Sequence, residues 1–289
     1  MHKYPIYILS KGRYESGLTA KMFIRDKVQF NLVVEEQEYK EYEKRYGKYC
    51  NILVLPFSNL GAIPVRNWIW EHSIKDGFKR HWQFDDNIRK INRLNKGKRI
   101  NCNTDIALQV VEDYTDRYEN IALSGFNYTM FTTDDIQQPL RLNCHVYSAM
   151  LIDNNIPFRW RGEYNADTDL CLQVLTNKLC TVQFIIFNVQ KVATMLMKDG
   201  NTERYQGDGR LKMARSLELM WPKYVETKWR FKRPQHVVNW KKHFKHPLIR
   251  RKDIDWNSIP KINNYGLELK QVAKIKSPEL IKFYEKNKS

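Results

Sequence analysis

The feature that most constrains this chain is the alternation of apolar runs and helical spacings across its first hundred residues. Residues 4–9 form a short apolar run that ends at Ser10-Lys11-Gly12-Arg13, as a strand entering a turn does. Leu18, Met22 and Phe23 follow at helical spacing. Residues 31–35 (NLVVE) predict a second buried strand, 37–46 a charged helix and 51–55 (NILVL) a third strand. Pro64 suits the first turn of a helix with Val65, Trp68, Ile69 and His72 on one face; Gly77 ends it, and 80–84 make a fourth strand. This order predicts an α/β fold: a Rossmann-type, mostly parallel sheet with helices on both faces.

Beyond residue 100 the pattern loosens. Thr104 is placed to cap a helix reaching residue 118, with Ile106, Val110 and Tyr114 on its stripe. A strand over 121–124 leads into a loop at Gly125-Phe126-Asn127. Further strands are expected over 146–152, 182–187 and 191–195, with helices over 167–176 and 210–220. The charged, glycine-rich stretch 199–210 reads as a mobile lid. No apolar run approaches the roughly 20 residues that span a bilayer, and the amino terminus lacks a secretory signal. Five scattered cysteines without a CxxC pair suit a reduced, cytoplasmic setting.

Charge separates the chain into two parts. Of the net +17, the last 69 residues carry +12, which divides a nearly balanced 1–220 from a basic extension at 221–289. Residues 228–252 contain ten Lys and Arg and no acid. Aromatic side chains interleave with them, so cations can meet phosphates while rings stack on bases. Lys228, Trp229, Arg230, Lys232, Arg233, Trp240, Lys241, Lys242, Arg250 and Arg251 are the candidate nucleic-acid contacts. His236, His243 and His246 lie there too, without a metal-ligand spacing.

Functional groups in open α/β sheets gather at the carboxyl ends of strands. The residues there are polar in every case: Ser10 to Arg13, Glu35, Ser58, and Asp85-Asp86-Asn87. Adjacent carboxylates at a buried strand end repel unless a positive charge lies between them, and a divalent cation is one solution. An Asx turn or helix cap is the other reading of Asp-Asp-Asn.

The stretches IYILSKGR (6–13), LVVEEQEY (32–39), ILVLP (52–56), VRNWIW (65–70) and HWQFDDNI (81–88) resemble, in this order, a GT-A glycosyltransferase. More narrowly they resemble the phage TET-associated group, whose members are thought to decorate hydroxymethylated pyrimidines in DNA. The resemblance covers the amino-terminal third well, is thinner to residue 220 and does not extend to the last 70 or so residues. It implies a GT-A-like fold and a nucleotide-sugar donor, such as a uridine diphosphate sugar, bound by Ser10, Lys11, Arg13, Glu35, Arg66 and Asp85. It also implies Mn²⁺ or Mg²⁺ held by Asp85 and Asp86, with Asn87 as a neutral third member of the site. Asn87 stands where many relatives carry an acid. By the same resemblance an inverting member needs a base, and Asp167, then Asp169, then Glu163 are the candidates; Ala166 replaces the first acid of the family's pair. A polysaccharide, lipid or protein acceptor, a non-catalytic DNA-binding module and a metal-dependent nuclease are the rival readings.

Overall fold

The computed structural model describes residues 1–132, 138–192 and 207–270, together with 279, 282, 283, 286 and 287. The expected alternation is present: β1 (Ile6–Leu9), α1 (Leu18–Arg25), β2 (Asn31–Val34), α2 (Tyr39–Tyr46), β3 (Asn51–Val54), α3 (Ala62–Lys75) and β4 (Arg80–Asp85). There follow β5 (Ile88–Asn95), β6 (Lys98–Cys102), α4 (Thr104–Thr115), β7 (Ile121–Tyr128), β8 (Leu140–Leu142), β9 (Ala149–Asp153), α5 (Ala166–Thr176) and β10 (Cys180–Lys191). The described chain continues with α6 (Gly209–Met220), β11 (Val225–Arg230), β12 (Arg233–Val238) and α7 (Trp240–His243).

One ten-stranded sheet runs in the order β3-β2-β1-β4-β9-β7-β10-β5-β6, with β8 also on β10. The first four strands are parallel; β9 is antiparallel between β4 and β7, and β7 and β10 are parallel to each other. Strand alternation divides the core into two faces. Ile6, Ile8, Leu32, Val34, Trp82 and Phe84 pack with α1, α2 and α4. Tyr7 and Val33 pack on the opposite face with Val65 and Ile69 of α3, and a neighbouring cluster joins Trp70 to Leu170 and Val174 of α5. A GT-A-like α/β sheet covered on both faces is the result.

Two expectations need correction. Gly125-Phe126-Asn127 lies inside β7 rather than in a loop. A Cβ on Gly125 would sit 2.4 Å from the Ala149 carbonyl oxygen, so close strand packing, not a turn, demands glycine there. Asn103, not Thr104, caps α4 by accepting from the Asp105 N–H, and its buried side is Leu108, Val111, Glu112 and Thr115. The β5–β6 hairpin was not expected, because IRKINRLN interleaves charges with its apolar positions. Residues 221–256 pack on the body. Val225 and Phe244 are buried with Leu172, Leu175 and Leu217, and Trp256 packs on Tyr118. Residues 193–206, which hold most of the expected lid and the end of the expected 191–195 strand, lie outside the described residues.

All five cysteines are free thiols, and four of them are buried. No helix among the described residues is long and apolar enough to cross a membrane.

Candidate active site

The polar strand ends converge on one edge of the parallel half-sheet. Lys11 Nζ bridges both Glu35 oxygens (2.8 and 2.9 Å) and Asn59 Oδ1 (2.6 Å), while Gln37 Nε2 also donates to Glu35. Glu35 is buried; burial raises its carboxyl, but Lys11 and the other donors outweigh burial and hold it below its ordinary value. Ser10 Oγ donates to Asp86 Oδ2 (3.1 Å) and accepts from the Tyr42 hydroxyl (2.7 Å), and Arg13 pairs with Asp86 Oδ1.

The period of two separates the acidic pair. His81, Gln83 and Asp85 point to the α3 face, where Gln83 Nε2 meets His81 and the Arg66 carbonyl. Arg66 Nη2 donates to Asp85 Oδ1 (2.6 Å), and Lys191 Nζ, at the end of β10, donates to Asp85 Oδ2 (2.7 Å) and Ser148 Oγ (2.8 Å). Asp86 instead meets Ser10 and Arg13. Burial raises Asp85, yet Lys191 and Arg66 pull it far below the ordinary carboxylate range; burial leaves Asp86 raised despite Arg13. Thr19 locks the turn between the two: its hydroxyl donates to the Asp85 carbonyl (2.6 Å) and accepts from Ile88 N–H (2.9 Å).

These residues do not fit a divalent cation as they stand. Every carboxylate oxygen of Asp85 and Asp86 already accepts from a cation or hydroxyl, and three cationic side chains occupy the space around them. Asn87 Oδ1 is buried with no partner among the described residues, but one amide oxygen is not a cation site. Among the described residues no three His, Cys, Asp or Glu side chains converge as metal ligands.

Lys191 connects this edge to a cleft of about 670 Å³. Arg99, Lys191, Arg210 and Arg233 all line it, no acid does among the described residues, and Asn165 and His236 bound it as well. Tyr128 contributes its ring to the cleft and its hydroxyl to Ser148. Ser10, Lys11, Arg13, Glu35, Arg66, Asp85 and Asp86 are not in its lining.

Beside Asn165, α5 begins with Ala166-Asp167. Asp167 Oδ1 accepts from Thr168 N–H (2.8 Å), and Oδ2 lies 3.3 Å from His145 Nε2, which also meets Thr168 Oγ1 (3.2 Å). Burial raises Asp167, but His145 outweighs it and the carboxyl is lowered to about 2. His236 is lowered to about 4 by burial and by His145, which leaves it neutral near pH 7. Asp169 behaves differently. Fully buried, it accepts from Arg161, Gln173 Nε2 and Trp221 Nε1, so it anchors α5 to the segment after α6. Glu163 is exposed.

The expected donor residues are thus gathered, and Asp167 stands apart from them near the basic cleft. Lys191, Tyr128, His145 and Thr19 were not anticipated. A lysine ending a long apolar strand and a histidine just before β9 are the only local signals that pointed to the first and third of these. Of the expected nucleic-acid contacts, Lys228, Trp229, Arg230 and Lys232 are exposed, Arg233 lines the cleft, and Trp240 stacks on His145 (6.0 Å between centroids). Arg250 lies over the Trp256 ring, and Arg251 pairs with Asp253. Lys241 and Lys242 sit in α7, exposed.

A family model for TET-associated glycosyltransferases matches residues 4–201, about two thirds of the chain. No curated protein matches it.

Proposed function

Since the chain belongs to the TET-associated glycosyltransferase family, we propose that this glycosyltransferase moves a sugar from a nucleotide donor, a uridine diphosphate sugar by preference, to the hydroxyl of a hydroxymethylated pyrimidine in DNA. The observation that carries the reading is the continuity of the Asp85–Lys191 pair with a cleft lined by four cations and no described acid. The nucleoside lies over Ser10 to Arg13 and Glu35, and the diphosphate reaches Arg66 and Lys191. The sugar enters the cleft towards Asn165.

In the reaction the acceptor oxygen bonds to the anomeric carbon as the bond from that carbon to the diphosphate oxygen breaks. The hydroxyl proton passes to the Asp167–His145 pair, and a single displacement inverts the anomeric centre. Charge growing on the departing diphosphate is met by Lys191, Arg66, Arg99 and Arg210, fixed before the reaction begins. A Mn²⁺ or Mg²⁺ ion arriving with the donor would have to displace cations now on Asp85 and Asp86.

The DNA acceptor is supported by the exposed basic and aromatic residues of β11 and its turn. Mass spectrometry of hydroxymethylated DNA, incubated with the protein and a panel of nucleotide sugars, tests the whole reading. Parallel reactions with added Mn²⁺, Mg²⁺ or chelator read the metal requirement. A mass increase of one glycosyl unit is expected. Cleavage of unmodified DNA without donor, or transfer to a glycan but never to DNA, would overturn it.

A further inference from the structure

The β11–β12 hairpin turns through Phe231 (φ 52°) and Lys232 (φ 58°), both left-handed. A two-residue hairpin turn with positive φ at both positions favours Asn-Gly, because a Cβ is strained there and a bulky ring more so. The strain has no compensating burial: Phe231 is 82% exposed and Trp229 73%. Rings and cations alternate along the tip as Lys228-Trp229-Arg230-Phe231-Lys232. Arg230 and Arg233 are directly cross-strand, a like-charge pair that weakens the ladder unless an anion joins them. Arg233 lines the large cleft, and Arg230 lines a second cavity of about 200 Å³ that His145, His236 and Trp240 also border.

We propose that this tip is a wedge for DNA, with Phe231 and Trp229 stacking on unstacked bases and Lys228, Arg230, Lys232 and Arg233 holding the flanking phosphates. The proposal deepens the DNA-acceptor reading above and rests on it for the identity of the strand. A flat anionic membrane could also attract the tip, but it could not follow Arg230 and Arg233 into the two cavities that they line, whereas a flexible strand can. A base turned out beside the wedge meets the smaller cavity, where His145 stands next to Asp167.

The test replaces Phe231→Asn and Lys232→Gly together in the full chain, which gives the turn the residues it favours. The melting temperature should hold or rise. Affinity for a hydroxymethylated oligonucleotide, measured by fluorescence anisotropy without donor, should fall roughly 5- to 100-fold, the scale of lost ring–base stacking. Wild-type protein should brighten a 2-aminopurine placed beside the modified base in a duplex, and the variant should not. Equal affinity and equal brightening in the two proteins would overturn the wedge. So would wild-type binding to phosphatidylserine vesicles with none to DNA. Donor hydrolysis by the variant separates the two ideas: if it persists while DNA binding falls, the transferase is intact and the wedge is what was lost. DNA bound through the tip but never glycosylated would sink the acceptor reading and leave the wedge standing.

Discussion

Lys191 is the residue on which the donor half of the site turns. Burial lowers the charge affinity of its ammonium, and Asp85 more than restores it, so it is held above its ordinary value and stays charged. Lys191→Met should lower kcat by about 100-fold, the effect of removing one fixed donor to a developing anion, with little change in acceptor KM. Steady-state kinetics check this, and Lys191→Arg should recover part of the loss. His145 acts on the opposite side. In the wild type Asp167 is lowered to about 2, so its protonation leaves the rate untouched above about pH 4. His145→Gln removes the chief partner that lowers Asp167, and the acid limb of the kcat profile should move to higher pH. An unmoved limb would show that His145 does not govern the carboxylate. Neither partnership was legible in the sequence. Lys191 lies 106 residues from Asp85 and His145 lies 22 before Asp167, and only tertiary packing brings such pairs together.

At the scale of the element, Thr19 joins the second residue of α1 to the turn after β4. Thr19→Val keeps the shape and removes the hydroxyl, stranding the buried Ile88 N–H and the Asp85 carbonyl. It should cost about 1–3 kcal/mol of stability, read by urea denaturation, and it should weaken donor binding because the Asp85-Asp86 turn loses its clamp. Thr19→Ser should restore most of both. Elements whose pattern is local were readable beforehand. The strands β1, β2 and β3 are short apolar runs, β4 alternates Trp82 and Phe84 with polar residues, and the helices between them carry apolar positions at helical spacing. Elements whose pattern is shared with a neighbour were not. Gly125 looks like a turn until Ala149 is seen against it, and β12 (RPQHVV) gives no strand signal without β11 to pair with. The acidic pair is an intermediate case: its position at a strand end was legible, whereas the opposite facing of Asp85 and Asp86 depended on where β4 stops.

Across the whole molecule, charge is distributed by function while stability depends on a few buried carboxyls. The basic carboxyl-terminal part does not hang from the body; its first portion walls the cleft and fills a core with α5 and α6. Near the opposite end of the chain, Glu112 is fully buried and accepts from the Lys3 and Tyr4 N–H groups and from Trp82 Nε1, tying the entry to β1, β4 and α4 together. Burial raises its carboxyl to about 7 against those three donors, from an ordinary 4.5. A carboxyl raised on folding is held protonated more firmly in the native state, so its stabilisation is complete below pH 4.5 and is lost as the pH rises through 7. Asp85 and Asp167 are lowered on folding, and their stabilisation is present above their ordinary 3.8 and fades at lower pH. The buried imidazoles of His81 and His236 are lowered on folding, so their stabilisation grows as the pH rises towards their ordinary 6.5 and overlaps the Glu112 window with the opposite sign. Between pH 5 and pH 8 the unfolding free energy should fall by an amount on the order of 3 kcal/mol from Glu112 alone. The difference between wild type and Glu112→Gln, whose side chain does not titrate, should carry that fall, because His81 and His236 act alike in both proteins, while the decline below pH 4 should persist in both. A difference that stays flat from pH 5 to pH 8 would mean that the three donors, not burial, set the charge of Glu112.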